Sequence, residues 1–308
     1  MKHTLIILVF ALFANNTKGT DTTFYFVTSD AVKLYVRVAG QGHPCLFVHG
    51  GPGSTSYYFE AMPSAKLMEQ RFKMVYFDQR GSGRSDSPVD SNYTPARFSS
   101  DMEELRKFLK LKTWDVMGHS FVGFLLTDYA TRYPQSIRSL LYINATVDIK
   151  LSMQSHLNFG IKELGLSDSS YTNPAIPVEQ RVWQVHQKLS EQDLWYKLMY
   201  RNAFEKKYND SVTMSIGKFN RDFANRVWDI ADFSVNMSQK TRSIKLPVLV
   251  ITGDQDFAVG VDHYQQLQFP NKKIVHYIGG HAPFQEEPQW FAEKVIGFLS
   301  TLENRNAH

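Results

Sequence analysis

The amino-acid sequence predicts an α/β fold in which a mostly parallel central sheet is flanked by helices and interrupted by an inserted helical segment. From about residue 45 onward, short, continuously apolar segments alternate with helix-like segments. Continuous apolar runs are typical of parallel strands that are buried on both faces. The alternation stops between residues 145 and 245, where helix formers predominate. The chain has 308 residues, of which 43% are hydrophobic, so it can bury a substantial core.

The predicted elements begin with an antiparallel pair of strands. Segments 24–27 and 32–38 alternate or run apolar, and a tight turn at Ser29-Asp30 separates them. Six buried strands are then predicted at residues 45–48, 74–77, 114–117, 140–143, 248–251 and 274–278. The spacing of apolar residues predicts a helix over residues 101–111. Because parallel neighbours need crossover connections, helices are expected to flank the sheet.

The chain is expected to divide into three parts. Residues 1–19 join the basic start Met1-Lys2-His3 to an apolar stretch, a pattern typical of a secretory signal peptide. That stretch is about ten residues long, whereas a membrane span takes roughly 20. We expect cleavage before Thr20 and a secreted or periplasmic protein with no stable membrane insertion afterwards; an uncleaved anchor is the alternative. Residues 20–145 and 246–308 form the α/β core, and residues 146–245 form a helical cap, since long unstructured loops are uncommon in compact domains.

Composition excludes several classes of protein. The net charge is +4 without a long run of Lys or Arg, so no nucleic-acid partner is expected. The single cysteine, Cys45, lies in an apolar run and is expected to be a buried hydrophobe. No H-E-x-x-H motif, His/Cys cluster or dinucleotide fingerprint occurs, so neither a metal nor a cofactor is expected. The expected partner is a small molecule or a short peptide, and the oligomeric state stays open.

Three polar residues follow predicted strands in an order that indicates nucleophilic catalysis. Ser120 stands between the strand at 114–117 and a helix-like run, so it is predicted at a sharp strand–turn–helix elbow above a helix N-terminus. Asp256 and His281 follow the strands at 248–251 and 274–278. The order Ser, Asp, His is that of the α/β-hydrolase fold. We therefore expect Ser120 as nucleophile, His281 as base and Asp256 as the acid that orients it; Asp254 is the alternative acid.

An oxyanion hole is expected beside the elbow. One donor is the N–H of Phe121, directly after the nucleophile, and the other comes from the loop His49-Gly50-Gly51-Pro52-Gly53. Gly51 is the choice for the second donor, because glycine lets the backbone approach a ligand closely. The side chain of His49 is expected to hold this loop. The segment Asp78-Gln79-Arg80-Gly81-Ser82-Gly83-Arg84-Ser85 is expected to serve loop architecture rather than substrate contact.

These motifs resemble those of the prolyl aminopeptidase (proline iminopeptidase) family of α/β-hydrolases. The resemblance is carried by the segments 49–53 and 78–85 together with Ser120, Asp256 and His281, and it covers about residues 24–145 and 246–300. It implies the α/β-hydrolase fold and a cofactor-independent serine hydrolase. Such an enzyme forms an acyl-enzyme and releases residues from peptide N-termini.

The sequence departs from that family at two places. At the elbow, Val122 stands where the family has a small residue, and a β-branched side chain there is expected to strain the turn or displace the helix. The family's amine-binding glutamates have no counterpart in the cap. The acidic residues available there to bind a substrate amine are Glu191, Glu205, Asp222, Asp229 and Asp232. A small-ester or lactone hydrolase and a catalytically inactive binding protein are the alternative functions.

Overall fold

A computed structural model describes residues 20–217 and 219–305 of the chain. Over these residues, eight strands form one sheet in the order β1-β2-β4-β3-β5-β6-β7-β8. Strand β2 is antiparallel to β1 and β4, and the other neighbours are parallel. The strands are β1 Thr20–Val27, β2 Lys33–Gly40, β3 His43–Val48, β4 Phe72–Phe77, β5 Trp114–His119, β6 Ile137–Ile143, β7 Val248–Gly253 and β8 Lys272–Tyr277. The predicted α/β class with a mostly parallel sheet is confirmed.

Helices connect the strands and cover the sheet. The α-helices of the described ranges are α1 Tyr57–Glu60, α2 Pro63–Glu69, α3 Pro95–Phe108, α4 Gly123–Arg132, α5 Ile149–Leu164, α6 Ser169–Thr172, α7 Val178–Glu191, α8 Ala203–Met214, α9 Asp222–Arg226, α10 Ser238–Thr241, α11 Pro283–Glu286 and α12 Pro288–Arg305. Helix α3 begins earlier than predicted, because Thr94 caps it by accepting a hydrogen bond from Arg97 N–H and Pro95 occupies its first position.

Strand β3 shows how the sheet divides the core into two layers. Leu46 and Val48 point to one face, where helices α3 and α4 pack. Cys45 and Phe47 point to the other face, where α2 and α12 pack. This alternation follows from the two-residue period of a strand. Because all four side chains are fully buried, the continuous apolar run of the sequence reflects a strand covered on both sides, and Cys45 is a buried residue as expected.

Helices α5 to α10 lie between β6 and β7 and form a helical insertion (residues 146–245). Its own core joins α5 and α7 through Leu157, Val185 and Leu189. Gly160 lets these helices approach closely, since a Cβ at this position would lie 2.0 Å from Val185 Cγ1. The α5–α7 pair therefore has a hydrophobic cluster of its own, distinct from the two that flank the sheet.

The insertion is tied to the core by backbone hydrogen bonds. Phe223 N–H donates to Gly81 O at 3.0 Å, and Asn220 and Gly83 pair through both their N–H and C=O groups. His281 N–H donates to Met199 O at 2.7 Å. The insertion is thus attached both to the loop at residues 78–85 and to the loop that carries His281.

The expected signal peptide, residues 1–19, lies outside the described residues. Among the helices that are described, none combines the length and the apolar character needed to cross a bilayer.

Candidate active site

Ser120 occupies a sharp turn between β5 and α4. The strand ends at His119, a short 3-10 turn covers Ser120–Val122, and α4 begins at Gly123. Ser120 has φ +67°, a conformation that costs an L-residue about 1–2 kcal/mol. Two hydrogen bonds hold it: Ser120 N–H donates to Asn144 O at 3.1 Å, and Thr146 N–H donates to Ser120 O at 3.0 Å. The predicted elbow is therefore hydrogen-bonded to the loop after β6.

The side chain of Val122 is accommodated at the elbow. Its backbone has φ −74°, an ordinary value, and its side chain is fully buried in the core. Gly118 provides the space: a Cβ on Gly118 would lie 2.6 Å from Val122 Cγ2. Helix α4 follows directly, with Gly123 packed so closely on Thr146 that a Cβ would lie 2.1 Å from its carbonyl oxygen. Val122 therefore has an ordinary backbone conformation, and the positive φ of the turn falls on Ser120. The expected strain on the turn and displacement of the helix stay predictions.

His281 and Asp256 lie together and are almost completely buried. His281 Nδ1 is 3.0 Å from Asp256 Oδ2, and the two residues are 1% and 2% exposed. Because an ionised carboxylate only accepts hydrogen bonds, Nδ1 carries the proton and a neutral ring leaves Nε2 bare. Nε2 is buried and has no hydrogen-bond partner among the described residues, Ser120 Oγ included.

Asp254, the alternative acid, has a different contact. Its Oδ1 accepts a hydrogen bond from Gly279 N–H at 2.9 Å, so it holds the loop that leads to His281. The other oxygen of Asp256, Oδ1, accepts from Ala258 N–H and Val259 N–H, both at 3.1 Å. Only Asp256 reaches the imidazole.

Asn144 joins the three loops that carry Ser120, Asp256 and His281. Besides accepting from Ser120 N–H, it accepts from Gly253 N–H at its Oδ1 (2.8 Å) and donates from Nδ2 to Gly280 O (3.0 Å) and His281 O (2.9 Å). It is 3% exposed and has φ +42°. The sequence reasoning missed this residue, although a polar residue with left-handed tolerance directly after a buried strand was a usable signal.

The loop at residues 49–53 lies against the elbow. A Cβ on Gly50 would lie 2.7 Å from Ser120 Cβ, so only glycine fits there. Gly50 N–H donates to the Tyr58 hydroxyl at 2.8 Å, which makes it unavailable to a ligand. Gly51 N–H makes no hydrogen bond with any described residue. Phe121 N–H lies in the first turn of a helix, where no acceptor exists within the helix.

Two further histidines have structural contacts. His49 Nε2 accepts from Gln79 N–H at 2.9 Å and its Nδ1 contacts Gly50 O at 3.0 Å, so it holds the loop as expected. His119 Nε2 is 2.9 Å from His281 O, and its Nδ1 is 2.9 Å from the Tyr58 hydroxyl. Burial lowers the pKa of His119 well below its usual value, so its neutral ring donates to His281 O and accepts from Tyr58.

A buried ionic cluster holds the loop at residues 78–85. Asp78 is completely buried and accepts from Arg84 Nε at 2.7 Å and from Ser56 N–H at 2.7 Å. The Arg84 guanidinium also lies over the Tyr35 ring, 3.4 Å from its centroid. Burial alone would raise the pKa of Asp78, but the hydrogen bonds and charge of Arg84 lower it below its ordinary value. These contacts agree with the architectural role expected for this loop.

A cavity of about 1000 Å³ opens beside Gly51, between the core and the insertion. None of the five acidic residues named as candidates for binding a substrate amine lines it. Asp222, for example, is bound by Tyr93 and Arg226, and Glu205 by Gln285. The cavity is lined by Gly51, Ser54, Ser190, Asp193, Trp195, Tyr196, Met199, Tyr200, Ala203, Lys206, Asn209, Asp210, Thr213, Met214 and Arg221.

Two carboxylates that sequence reasoning did not select, Asp193 and Asp210, line this cavity. Asp210 forms an ion pair with Lys206. The Asp193 carboxylate has no hydrogen-bond or ionic partner in the described part of the chain. Across residues 20–217 and 219–305, no group of three His, Cys, Asp or Glu side chains could hold a metal ion.

Comparison with known proteins places this geometry in context. The alpha/beta hydrolase fold family matches residues 44–288. The proline iminopeptidase of Heyndrickxia coagulans is 24% identical over 273 residues, which is 85% of this chain and 92% of that protein. A proline iminopeptidase-related protein from Thermus thermophilus has a TM-score of 0.77 at 19% identity, covering 92% of this chain and 98% of that one. An esterase from Exiguobacterium antarcticum has a TM-score of 0.67 at 16% identity, with 91% and 100% covered.

Proposed function

The chain belongs to the alpha/beta hydrolase fold family, and on that premise we propose that it is a serine hydrolase with Ser120 as nucleophile, His281 as general base and Asp256 as the orienting acid. The observation that carries this proposal is the state of His281. Its Nδ1 is fixed by Asp256 at 3.0 Å, while its buried Nε2 has no partner among the described residues. A bare buried nitrogen costs free energy, and a proton acceptor beside the elbow explains why it is kept.

In the proposed reaction, Ser120 Oγ attacks the carbonyl carbon of the substrate while its proton passes to His281 Nε2. We assign Gly51 N–H and Phe121 N–H to bind the negative charge that develops on the carbonyl oxygen. The bond to the leaving group then breaks, the leaving group takes the proton from His281, and an acyl-Ser120 remains. Water gives a proton to His281 as it attacks the acyl carbon. The carboxylic acid leaves, and serine and imidazole are restored.

A fluorophosphonate probe tests this assignment, because it phosphonylates only an activated serine. We expect the purified protein to be labelled, Ser120→Ala to abolish labelling, and His281→Ala to lower kcat on the order of 10⁴-fold with little change in KM. Asp256→Asn is expected to be severely impaired, whereas the matched control Asp254→Asn keeps most activity. Folded wild-type protein that resists the probe would favour a catalytically inactive binding protein. A stronger loss in Asp254→Asn than in Asp256→Asn would reverse the assignment of the acid.

We further propose that the substrate is an N-terminal aminoacyl amide whose protonated amine binds Asp193. The proline iminopeptidase of Heyndrickxia coagulans supports the substrate class. Asp193 supplies the contact: it lines the cavity beside Gly51 and has φ +57°. It ends α7 in a Schellman motif, with Leu194 N–H bound to Leu189 O at 2.8 Å and Asp193 N–H to Ser190 O at 3.1 Å. Glycine is the usual residue there, and aspartate is one of the few others that adopt this conformation, so Asp193 can end the helix and also present a carboxylate to the cavity.

Two carboxylates of the same cavity form a matched pair for the test. Asp193→Asn keeps the size and the left-handed tolerance of the residue but removes its charge. We expect it to lower kcat/KM for proline arylamide about 10-fold, as for loss of a hydrogen bond to a charged group, and to leave N-acetylproline arylamide and p-nitrophenyl acetate unaffected. Asp210 already pairs with Lys206 in the wild type, so Asp210→Asn should not change kcat/KM for any of these three substrates. Equal turnover of the free and acetylated arylamides by the wild type would exclude an aminopeptidase.

A small-ester hydrolase is the second candidate, and the aromatic wall of the cavity favours it. Trp195, Tyr196 and Tyr200 line the space beside Gly51, which suits an uncharged acyl or alcohol group. The same nucleophile and oxyanion donors serve any acyl transfer. Turnover of p-nitrophenyl acetate without turnover of any arylamide would select this function.

A further inference from the structure

Side chains on one face of α5 form hydrogen bonds with the backbone of the loop that carries Asp256. Ser155 Oγ–H donates to Phe257 O at 2.9 Å, and His156 Nε2 donates to Ala258 O at 2.7 Å. Ser152 Oγ lies 3.0 Å from Val259 O. Three consecutive carbonyl groups therefore receive three side chains spaced i, i+3 and i+4 on a single helix, which is the spacing of neighbours on one helix face.

Two of these carbonyl groups belong to peptide units that also bind the Asp256 carboxylate. The peptide between Phe257 and Ala258 accepts from Ser155 at its C=O and donates from Ala258 N–H to Asp256 Oδ1 at 3.1 Å. The next peptide accepts from His156 at its C=O and donates from Val259 N–H to the same oxygen at 3.1 Å. Each peptide links a side chain of α5 to the carboxylate that orients His281.

The protonation state of His156 follows from its partners. Ala258 O can only accept, so Nε2 carries the hydrogen, and the bare Nδ1 accepts from His186 Nε2 on α7 at 2.9 Å. Burial lowers the pKa of His156, which keeps this neutral form at pH 7. The donor to Ala258 O is therefore permanently available.

We propose that Ser155 and His156 are positioning residues that act on the reaction through these two peptide units. Hydrogen bonds in a chain polarise one another, so a donor on each C=O strengthens the N–H bond to Asp256 Oδ1. A carboxylate held firmly at Oδ1 keeps Oδ2 aligned with His281 Nδ1. The proposal rests on the proposed function, and it makes the insertion a part of the catalytic apparatus.

Ser152 is the matched control, because its peptide unit does not reach the carboxylate. Ser152 contacts the C=O of the peptide between Val259 and Gly260. The N–H of that peptide belongs to Gly260 and donates to the backbone oxygen of Asp256 at 3.0 Å. Ser152 and Ser155 thus share the helix, the residue type, the loop and the kind of hydrogen bond. They differ in whether the peptide they polarise binds Asp256 Oδ1, and Ser152 Oγ also lies 2.9 Å from Thr146 Oγ1.

The experiment measures phosphonylation of Ser120 by an alkyl fluorophosphonate. Serine oxygen bonds to phosphorus, fluoride leaves and His281 takes the proton, so the limiting rate reports the base. We expect Ser155→Ala to lower that rate about 3- to 10-fold, as for loss of one hydrogen bond, with unchanged half-saturation by the probe. Ser152→Ala should change the rate by less than about 2-fold. Its melting temperature should nevertheless fall by at least as much as that of Ser155→Ala. Equal rate losses in the two variants would overturn the proposal.

Replacements of His156 provide a second measurement that does not depend on serine. His156→Phe keeps a ring but removes the donor, and it should slow labelling to a similar degree as Ser155→Ala. His156→Gln places an amide N–H near the position of Nε2 and should restore most of the rate, which a loss of packing alone would not allow. Failure of His156→Gln to exceed His156→Phe would count against the peptide linkage. A wild-type protein that resists the probe would instead refute the proposed function itself.

Discussion

Half of the non-glycine residues with positive φ in the described chain lie where the chemistry is proposed. Six non-glycine residues of the described chain have positive φ. Ser120 and Asn144 are two of them, and they are hydrogen-bonded to each other. Asp193, a third, lines the adjacent cavity. Such conformations persist only where the surroundings hold them, and here the surroundings are the close contacts of Gly50, Gly118 and Gly123. The elbow is therefore a strained turn packed between glycines.

Val122→Gly tests this account at the scale of one residue. Because Val122 is fully buried and Gly118 leaves room for it, its removal creates a cavity and adds a glycine next to a helix. We expect the free energy of unfolding to fall by about 3 kcal/mol, measured by urea denaturation, and no gain in the labelling rate of Ser120. A variant that is as stable as the wild type and reacts faster would restore the original expectation of strain.

Among the elements, the loop at residues 78–85 links the core to the insertion. Its ionic centre is the buried pair of Asp78 and Arg84, and its outer edge pairs with residues 220 and 223 of the insertion. Gly83 is required at this edge, because a Cβ there would lie 2.5 Å from Asp78 Oδ2. The glycine at this edge of the segment thus serves close packing, which agrees with the architectural role expected from the sequence.

Asp78→Asn tests the stabilising role of this element. Breaking this buried pair leaves Arg84 only its longer ionic contact with Glu60 at 3.3 Å, so we expect a loss of about 3 kcal/mol at pH 7. The folded pKa of Asp78 lies below its ordinary value, so the unfolded chain takes up the proton first. Its contribution is present above about pH 4 and is lost as the pH falls further. Urea unfolding between pH 7 and pH 3 should therefore show a shallower decline for Asp78→Asn than for the wild type; parallel curves would contradict this.

For the molecule as a whole, the sequence predicts the features that leave a continuous apolar pattern along the chain. Strands such as β3 and β7 are continuously apolar because the sheet is covered on both faces, so their positions and the α/β class could be predicted. The contacts of Asn144 and His119 could not be predicted in this way. Each depends on segments that are distant in the chain and meet only in the fold, and the cavity lining depends on how the insertion packs on the core. The start of α3 differs from the prediction because apolar spacing does not register the cap at Thr94.

The N-terminal segment also concerns the whole molecule, and we propose that residues 1–19 direct export and are removed. Strand β1 begins at Thr20, and all eight of its residues pair with β2, from Thr20 with Gly40 to Val27 with Lys33. Cleavage before Thr20 would therefore leave the sheet complete. In a secretion-competent host, we expect the exported protein to have the intact mass of residues 20–308. Leu8→Arg, which interrupts the apolar stretch that export requires, should leave the precursor inside the cell, whereas Lys2→Arg should be processed normally. A full-length chain in the membrane fraction would show that the segment is an anchor instead.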